Sequence, residues 1–277
     1  MIIHLVDGTY ELFRNFYGIR RFKKTDPPFG AVAGVLGGVA QLLEDGATHV
    51  GVATDHIIES FRNNLWPGYK TGAGIERVLR AQFTPLEEAL EAMGVIVWAM
   101  VELEADDALA SAAYLAAQDE RVEKVCIWTP DKDLAQCVVE DRVVQVDRRS
   151  GVIRDAEKVR EKFGVAPEFI PDYLALVGDS ADGFPGISGC GPKTAATLIN
   201  RYGALENFGE DVLNKENHAR ALLFKDLATL RTNAPLFKDV DELRWRGATP
   251  EFPAVTEKIE SARLLARVRK LEKRIKK

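Results

Sequence analysis

The chain has little that would tie it to a disulfide framework, a zinc site or a bilayer. Its 277 residues include only three cysteines, Cys126, Cys137 and Cys190. They are odd in number and widely spaced, which argues against both a disulfide scaffold and a zinc site. The four histidines, His4, His49, His56 and His218, do not cluster, so each reads as an ordinary core or surface side chain. No apolar run approaches the roughly 20 residues that span a bilayer. The opening MIIHLVDG lacks the basic start and long apolar stretch of a secretory leader. Internal repeats and low-complexity linkers are absent. These absences leave a globular, cytoplasmic protein with no membrane partner, long enough for one large domain or two modest ones.

Charge is modest overall and uneven along the chain. The net value is −5, but residues 256–277 carry nine Lys/Arg against three Glu, a local +6 that leaves the remainder at −11. Arg14, Arg20, Arg21, Lys23 and Lys24 form a second basic group. Bound cations would neutralise part of the acidic remainder, so the mean charge does not exclude a polyanionic partner.

Short apolar runs at residues 2–6, 49–54, 95–100, 124–128 and 142–146 read as buried strands. Between them, residues 31–43, 75–93 and 102–118 read as helices, the second broken near Pro85. The stretch between the first strand and residue 31 reads as a polar, basic loop. Alternation of this kind predicts an α/β, Rossmann-like, mainly parallel sheet flanked by helices. Beyond about residue 156 the pattern becomes helical. Segments 167–177 and 192–202 are joined by a loop with glycine at 183, 186, 189 and 191. The expected division is an α/β core at 1–155, a helical region at 156–245 and a basic helical tail at 246–277. Leu264, Val268, Leu271 and Ile275 give that tail helical spacing; it reads as a solvated basic helix, with a DNA-facing role as the sharper alternative.

Acids follow these strands with unusual regularity. Asp7, Asp55, Glu104, Asp106, Asp107, Asp131 and Asp133 each come after an apolar run, and Asp179 and Asp182 open the glycine-rich segment. Ligands of open parallel sheets bind beyond the carboxyl ends of the strands. Carboxylates gathered there repel one another unless protons or cations intervene, and hard divalent ions take oxygen ligands. The expectation is a site for two such ions, Mg²⁺ or Mn²⁺, suited to phosphodiester cleavage. The glycine-rich loop bares N–H groups at a helix N-terminus. Gly189, Gly191, Lys193 and Thr194 there form a candidate phosphate site, and the loop carbonyls offer a place for K⁺. Three other motifs fail. Pro192 interrupts a P-loop reading of residues 186–194. Leu5 stands where a dehalogenase-type phosphatase needs its nucleophile. Cys190 replaces the last glycine of a nucleophile elbow.

Leu5-Val6-Asp7-Gly8, Glu104-Ala105-Asp106-Asp107, Asp131-Lys132-Asp133-Leu134 and the segment from Leu174 to Asp182 together resemble the bacterial 5′→3′ exonucleases of the flap-endonuclease family, from Met1 to about Leu236. The resemblance implies a PIN-like core, an arch at about 61–85 and a helix–three-turn–helix DNA-binding element at about 167–203. It implies that all nine acids hold two divalent ions: mainly one by Asp7, Asp55, Glu104, Asp106 and Asp107, mainly the other by Asp131, Asp133, Asp179 and Asp182. Arg62 and Lys70 match catalytic positions, and Arg14 and Tyr69 match positions that meet the cleaved strand; packing beneath a loop is the other reading of Tyr69 and Trp66. The implied substrate is DNA with 5′ ends, flaps or nicks. The implied protein is a monomer that cooperates in trans with polymerase and ligase. The chain departs from the family pattern at Pro130, at Thr71-Gly72-Ala73-Gly74 and at Gly183. The altered arch motivates a second expectation, a DNA-structure-binding protein with weak or lost catalysis. A PIN-like ribonuclease is a third, weakened because such domains lack residues 178–202.

Overall fold

A computed structural model describes residues 1–20 and 29–275. Arg21, Lys23, Lys24, Lys276 and Lys277, counted above among the basic groups, lie outside the described residues. One six-stranded sheet runs in the order β3-β2-β1-β4-β5-β6. Its strands are β1 (Ile2–Asp7), β2 (His49–Asp55), β3 (Ile96–Met100), β4 (Lys124–Trp128), β5 (Val143–Asp147) and β6 (Val152–Arg154). The first five are parallel, and β6 returns antiparallel at the edge. Five strands stand where the apolar runs place them. The sixth, three largely exposed residues, has no apolar signature and is not anticipated by the sequence.

Strands β1, β2 and β5 are buried on both faces, which is why they read as continuous apolar runs. One face packs against α1 (Gly8–Arg20), α2 (Gly30–Glu44), α4 (Arg77–Arg80), α5 (Phe83–Ala92), α11 (Phe252–Lys258) and α12 (Ala262–Ile275), after the short helix α3 (Arg62–Leu65). The other face packs against α6 (Ala105–Ala117) and the segment carrying Leu230, Val240 and Leu243. Successive side chains of β1 divide accordingly, Leu5 toward α6 and Val6 toward α2. A third core belongs to α7 (Ala156–Phe163), α8 (Ile170–Val177), α9 (Pro192–Tyr202) and α10 (Lys215–Ala228). It meets the sheet through a 3₁₀ turn at Asp133–Cys137.

Two expectations need correction. Residues 8–20 form helix α1 rather than a loop. Leu12 and Phe16, one turn apart, are 1 % and 2 % exposed, and that pair outweighs the flanking basic and polar residues. The break in residues 75–93 falls at Ala81–Gln82, between α4 and α5, and not at Pro85. Pro85 sits in the first turn of α5, where its missing N–H has no helical partner to lose. Helix α12 buries Leu264, Val268 and Leu271 against the α2 layer and leaves Ile275 exposed. No helix among the described residues is long and apolar enough to cross a membrane.

Candidate metal centre

The strand order reverses between β1 and β4, and the crevice at such a point collects side chains from several strand ends. Asp7 ends β1 and Asp55 ends β2. Glu104 caps α6, and Asp106 and Asp107 lie in its first turn. Asp131 and Asp133 follow β4, and Asp179 and Asp182 follow α8. Gly8 lets this end close up. A Cβ there would lie 2.8 Å from Thr54 and Val52 side-chain carbons, so α1 can start directly after Asp7 only with glycine.

Eight of the nine acids converge. Asp7 accepts from the Tyr10 N–H at 2.8 Å and from the Thr129 hydroxyl at 2.9 Å. Burial, with the nearby charges of Asp55 and Asp131, still pushes its carboxyl up to about 7. Burial raises Asp55 too, although it accepts from the Ala105 N–H at 2.8 Å and lies near Lys70. Asp106 is held well above the ordinary carboxylate range by burial and by Asp131, Asp7 and Asp55. Asp133 is raised in the same way, by burial and then by Asp131, Asp182 and Asp179. Burial and Asp179 also raise Asp182. Oxygens of Asp133, Asp179 and Asp182 lie within 4.8 Å of one another, and Asp133 Oδ1 is buried with no hydrogen-bond partner. Crowded, desolvated, partly unsatisfied carboxylates are what a hard divalent cation relieves. The residues therefore fit such ions.

Three lysine contacts complete the electrostatics. Lys70 Nζ stands 2.8 Å from Glu104 Oε2 and 3.0 Å from Asp182 Oδ1. Burial alone would raise the Glu104 carboxyl, but Lys70 and Arg62 hold it below its ordinary value. Lys132 Nζ lies 2.5 Å from Asp179 Oδ2. Sequence reasoning gave no role to Lys132, Thr129 or Ser60, whose hydroxyl donates to Glu104 at 2.6 Å. Only Lys132, set between two acids, carried a signal.

At three expected site residues the side chain is engaged by other groups of the chain. Asp107 does not face the cluster with a free oxygen. Its Oδ1 accepts from Arg62 and the Arg231 N–H, and its Oδ2 from Arg62 and the Glu104 N–H, at 2.7–3.0 Å. These four contacts use every lone pair in the carboxylate plane and tie Asp107 to Arg62, Glu104 and Arg231. Arg62, assigned to catalysis, is 1 % exposed. It also donates to the carbonyls of Leu227 and Thr229, and so fastens the end of α10 to α6. Tyr69, assigned to the cleaved strand, is 3 % exposed and packs in the helical core, its hydroxyl 3.3 Å from Glu104. Arg14 is 31 % exposed and pairs with the buried Glu11 at 2.5 Å.

The glycine-rich segment joins α8 to α9. Gly178 and Gly186 have φ of 87° and 70°, and their backbones touch. A Cβ on Gly186 would lie 2.4 Å from the Gly178 nitrogen. Gly189 and Gly191 have open space where a Cβ would be. With Lys193 and Thr194 they form an exposed surface at the N-terminus of α9.

A Rossmann-like sheet with a carboxylate cluster at its switch point, joined to a helix–loop–helix, defines a class of acidic-site, metal-using enzymes. Residues 2–164 match the family described as 5′-3′ exonuclease, N-terminal resolvase-like domain, and residues 165–251 match 5′-3′ exonuclease, C-terminal SAM fold. The chain belongs to this 5′-3′ exonuclease family. It is 31 % identical to a 5′-3′ exonuclease of Buchnera aphidicola over 88 % of this chain and 80 % of that one. It is 34 % identical to Pseudomonas aeruginosa DNA polymerase I over 86 % of this chain but only 28 % of that longer protein. Its fold is similar to the bacteriophage T5 D15 flap endonuclease, solved in a complex with DNA and metal ions. There the TM-score is 0.62 at 19 % identity, covering 94 % of this chain and 100 % of the other.

Proposed function

We propose that this chain is a divalent-metal-dependent, structure-selective nuclease that hydrolyses DNA phosphodiester bonds near a 5′ end, at flaps, nicks or junctions. The observation that carries this reading is the convergence of eight carboxylates beyond β1–β4, with Asp133 Oδ1 buried and unpartnered. Family membership and the metal- and DNA-containing T5 relative support it. Asp7, Asp55, Glu104 and Asp106 would hold one ion, and Asp131, Asp133, Asp179 and Asp182 the other. An all-oxygen donor set suits Mg²⁺ or Mn²⁺.

Bound there, such ions supply activation of water and neutralisation of charge on the attacking and leaving oxygens. The chain's own groups do the rest. Lys70, 29 % exposed at the edge of the cluster, offers its ammonium to a phosphate oxygen of the scissile strand. Arg62 and Asp107 fix the wall from which Glu104 projects. Gly189, Gly191, Lys193 and Thr194 hold duplex phosphates at the start of α9, with K⁺ on the carbonyls of the same loop. Phosphate contacts position without reading sequence, so sequence preference is weak. The protein acts as a monomer and passes its product to polymerase and ligase in trans.

The test is cleavage of labelled 5′-flap DNA, blunt duplex and single-stranded RNA in Mg²⁺, Mn²⁺ or EDTA. Metal-dependent cutting of the flap ahead of the other two is expected. Tight flap binding without cleavage in any metal would favour a DNA-structure-binding protein instead. Preference for RNA would overturn the reading.

A further inference from the structure

An apolar depression lies away from the carboxylates. A cavity of about 500 Å³ runs between the C-terminal end of α2 and the last turns of α12. Its floor includes Leu43, Trp245 and Leu271, and Ile275, 50 % exposed, forms one lip. Arg244, Arg246 and Arg274 stand around it. The side chains of Arg244 and Arg246 are exposed, and neither makes an ion pair among the described residues. Glu44, the acid on this rim, is already held by Arg267 at 2.8 and 2.9 Å. The site is therefore an apolar trough with unneutralised positive charge above it.

Its place in the fold separates it from the nuclease chemistry. Thr48, which lines it, immediately precedes β2, and Asp55, in the carboxylate cluster, ends that strand. At about 3.3 Å per residue the two are roughly 20 Å apart along the sheet. Aliphatic and arginine groups gathered around an apolar pocket suit protein recognition. Basic clusters recognise acidic motifs, and apolar grooves take the side chains that anchor them.

We propose that this groove is a docking site for an acidic peptide segment of a partner protein, one bulky apolar side chain of which enters the trough while flanking carboxylates meet Arg244, Arg246 and Arg274. A peptide is favoured over nucleic acid because the floor is aliphatic and Trp245 is 6 % exposed, which leaves no free ring face for base stacking. The proposal is independent of the nuclease reading.

Fluorescence anisotropy tests it with a labelled peptide of phenylalanine and leucine flanked by two aspartates on each side. Controls are the same peptide with serine at both apolar positions and a twelve-residue oligothymidylate. The parent protein should bind the first peptide saturably. The double variant Arg244→Glu, Arg246→Glu should weaken binding at least about tenfold, and the serine peptide should bind at least about tenfold more weakly to the parent. Ile275→Ser, at the exposed lip, should weaken it by a smaller factor. All variants should keep the parental melting temperature and flap cleavage. Absence of saturable binding to the parent, equal binding of the serine peptide, or binding indifferent to the charge reversals overturns the proposal. So does capture of the oligonucleotide at these arginines in preference to the peptide.

Discussion

Two aspartates of this chain show how neighbours decide what a carboxylate does. Asp133 is 4 % exposed and one of its oxygens has no partner, whereas Asp107 is 0 % exposed with both oxygens saturated. Asp133→Asn removes a charge that the metal-free fold disfavours. We expect metal-free thermal stability to hold or rise while flap cleavage falls at least about a hundredfold. Loss of both together would mean that Asp133 is structural. Asp107→Asn strips the counter-charge from Arg62, whose Nη1 lies 2.7 Å away in full burial. Breaking such a pair costs about 3–5 kcal/mol, so urea unfolding should show a large loss of stability. The sequence grouped both residues with the metal ligands because each follows a strand. Nothing in the Glu-Ala-Asp-Asp spacing reveals that Arg62, 45 positions earlier, consumes one of them.

Among the elements, the turn between α8 and α9 depends most on individual residues. Gly186→Ala places a Cβ against the Gly178 backbone at φ 70°. Left-handed geometry alone costs an L-residue about 1–2 kcal/mol, and a backbone contact cannot be relieved by a rotamer. The variant should bind duplex DNA more weakly in a gel-shift titration and melt earlier, while Gly189→Ala, also at a left-handed φ of 79° but with open space around it, should change the melting temperature less. Helix α12 gives a second test. Val268 is 0 % exposed in the same core as α2. Val268→Ala should lower global stability by about 1–3 kcal/mol, measured as a shift in denaturant midpoint. A tail that merely lay in solvent would leave the midpoint unchanged. The glycine loop and α9 were legible because proline and glycine punctuate them. Helix α1 was missed because its buried Leu12 and Phe16 are outnumbered by polar neighbours, and only the sheet beneath makes that pair decisive.

For the whole molecule, the cluster couples folding to protons and cations. Asp7 titrates at about 7 in the fold, against roughly 3.9 when unfolded. Between these values the folded state holds the extra proton, so this group's contribution to stability is present below about pH 4 and is lost as pH rises through 7. Asp55, Asp106, Asp133 and Asp182 are raised and carry the same sign. Glu104 is lowered and carries the opposite sign, losing its contribution under acid conditions. In EDTA the protein should therefore melt lower at pH 8 than at pH 5.5. Mg²⁺ at about 10 mM binds the deprotonated carboxylates and should raise the melting temperature more at pH 8 than at pH 5.5. A metal-free protein equally stable at both values would show that the carboxylates are not under mutual strain.

The sequence alone determined five of the six strands, that these five lie parallel, and that acids follow them. Those features are local, since apolar runs and the residues that terminate them are written in neighbouring positions. The tertiary structure decided which carboxylates keep a lone pair for a cation, that Tyr69 and Arg62 are packed away from solvent, and that an arginine-rimmed trough opens behind the sheet. Each of these depends on contacts between residues far apart in the chain, and burial and hydrogen-bond saturation exist only once those residues meet.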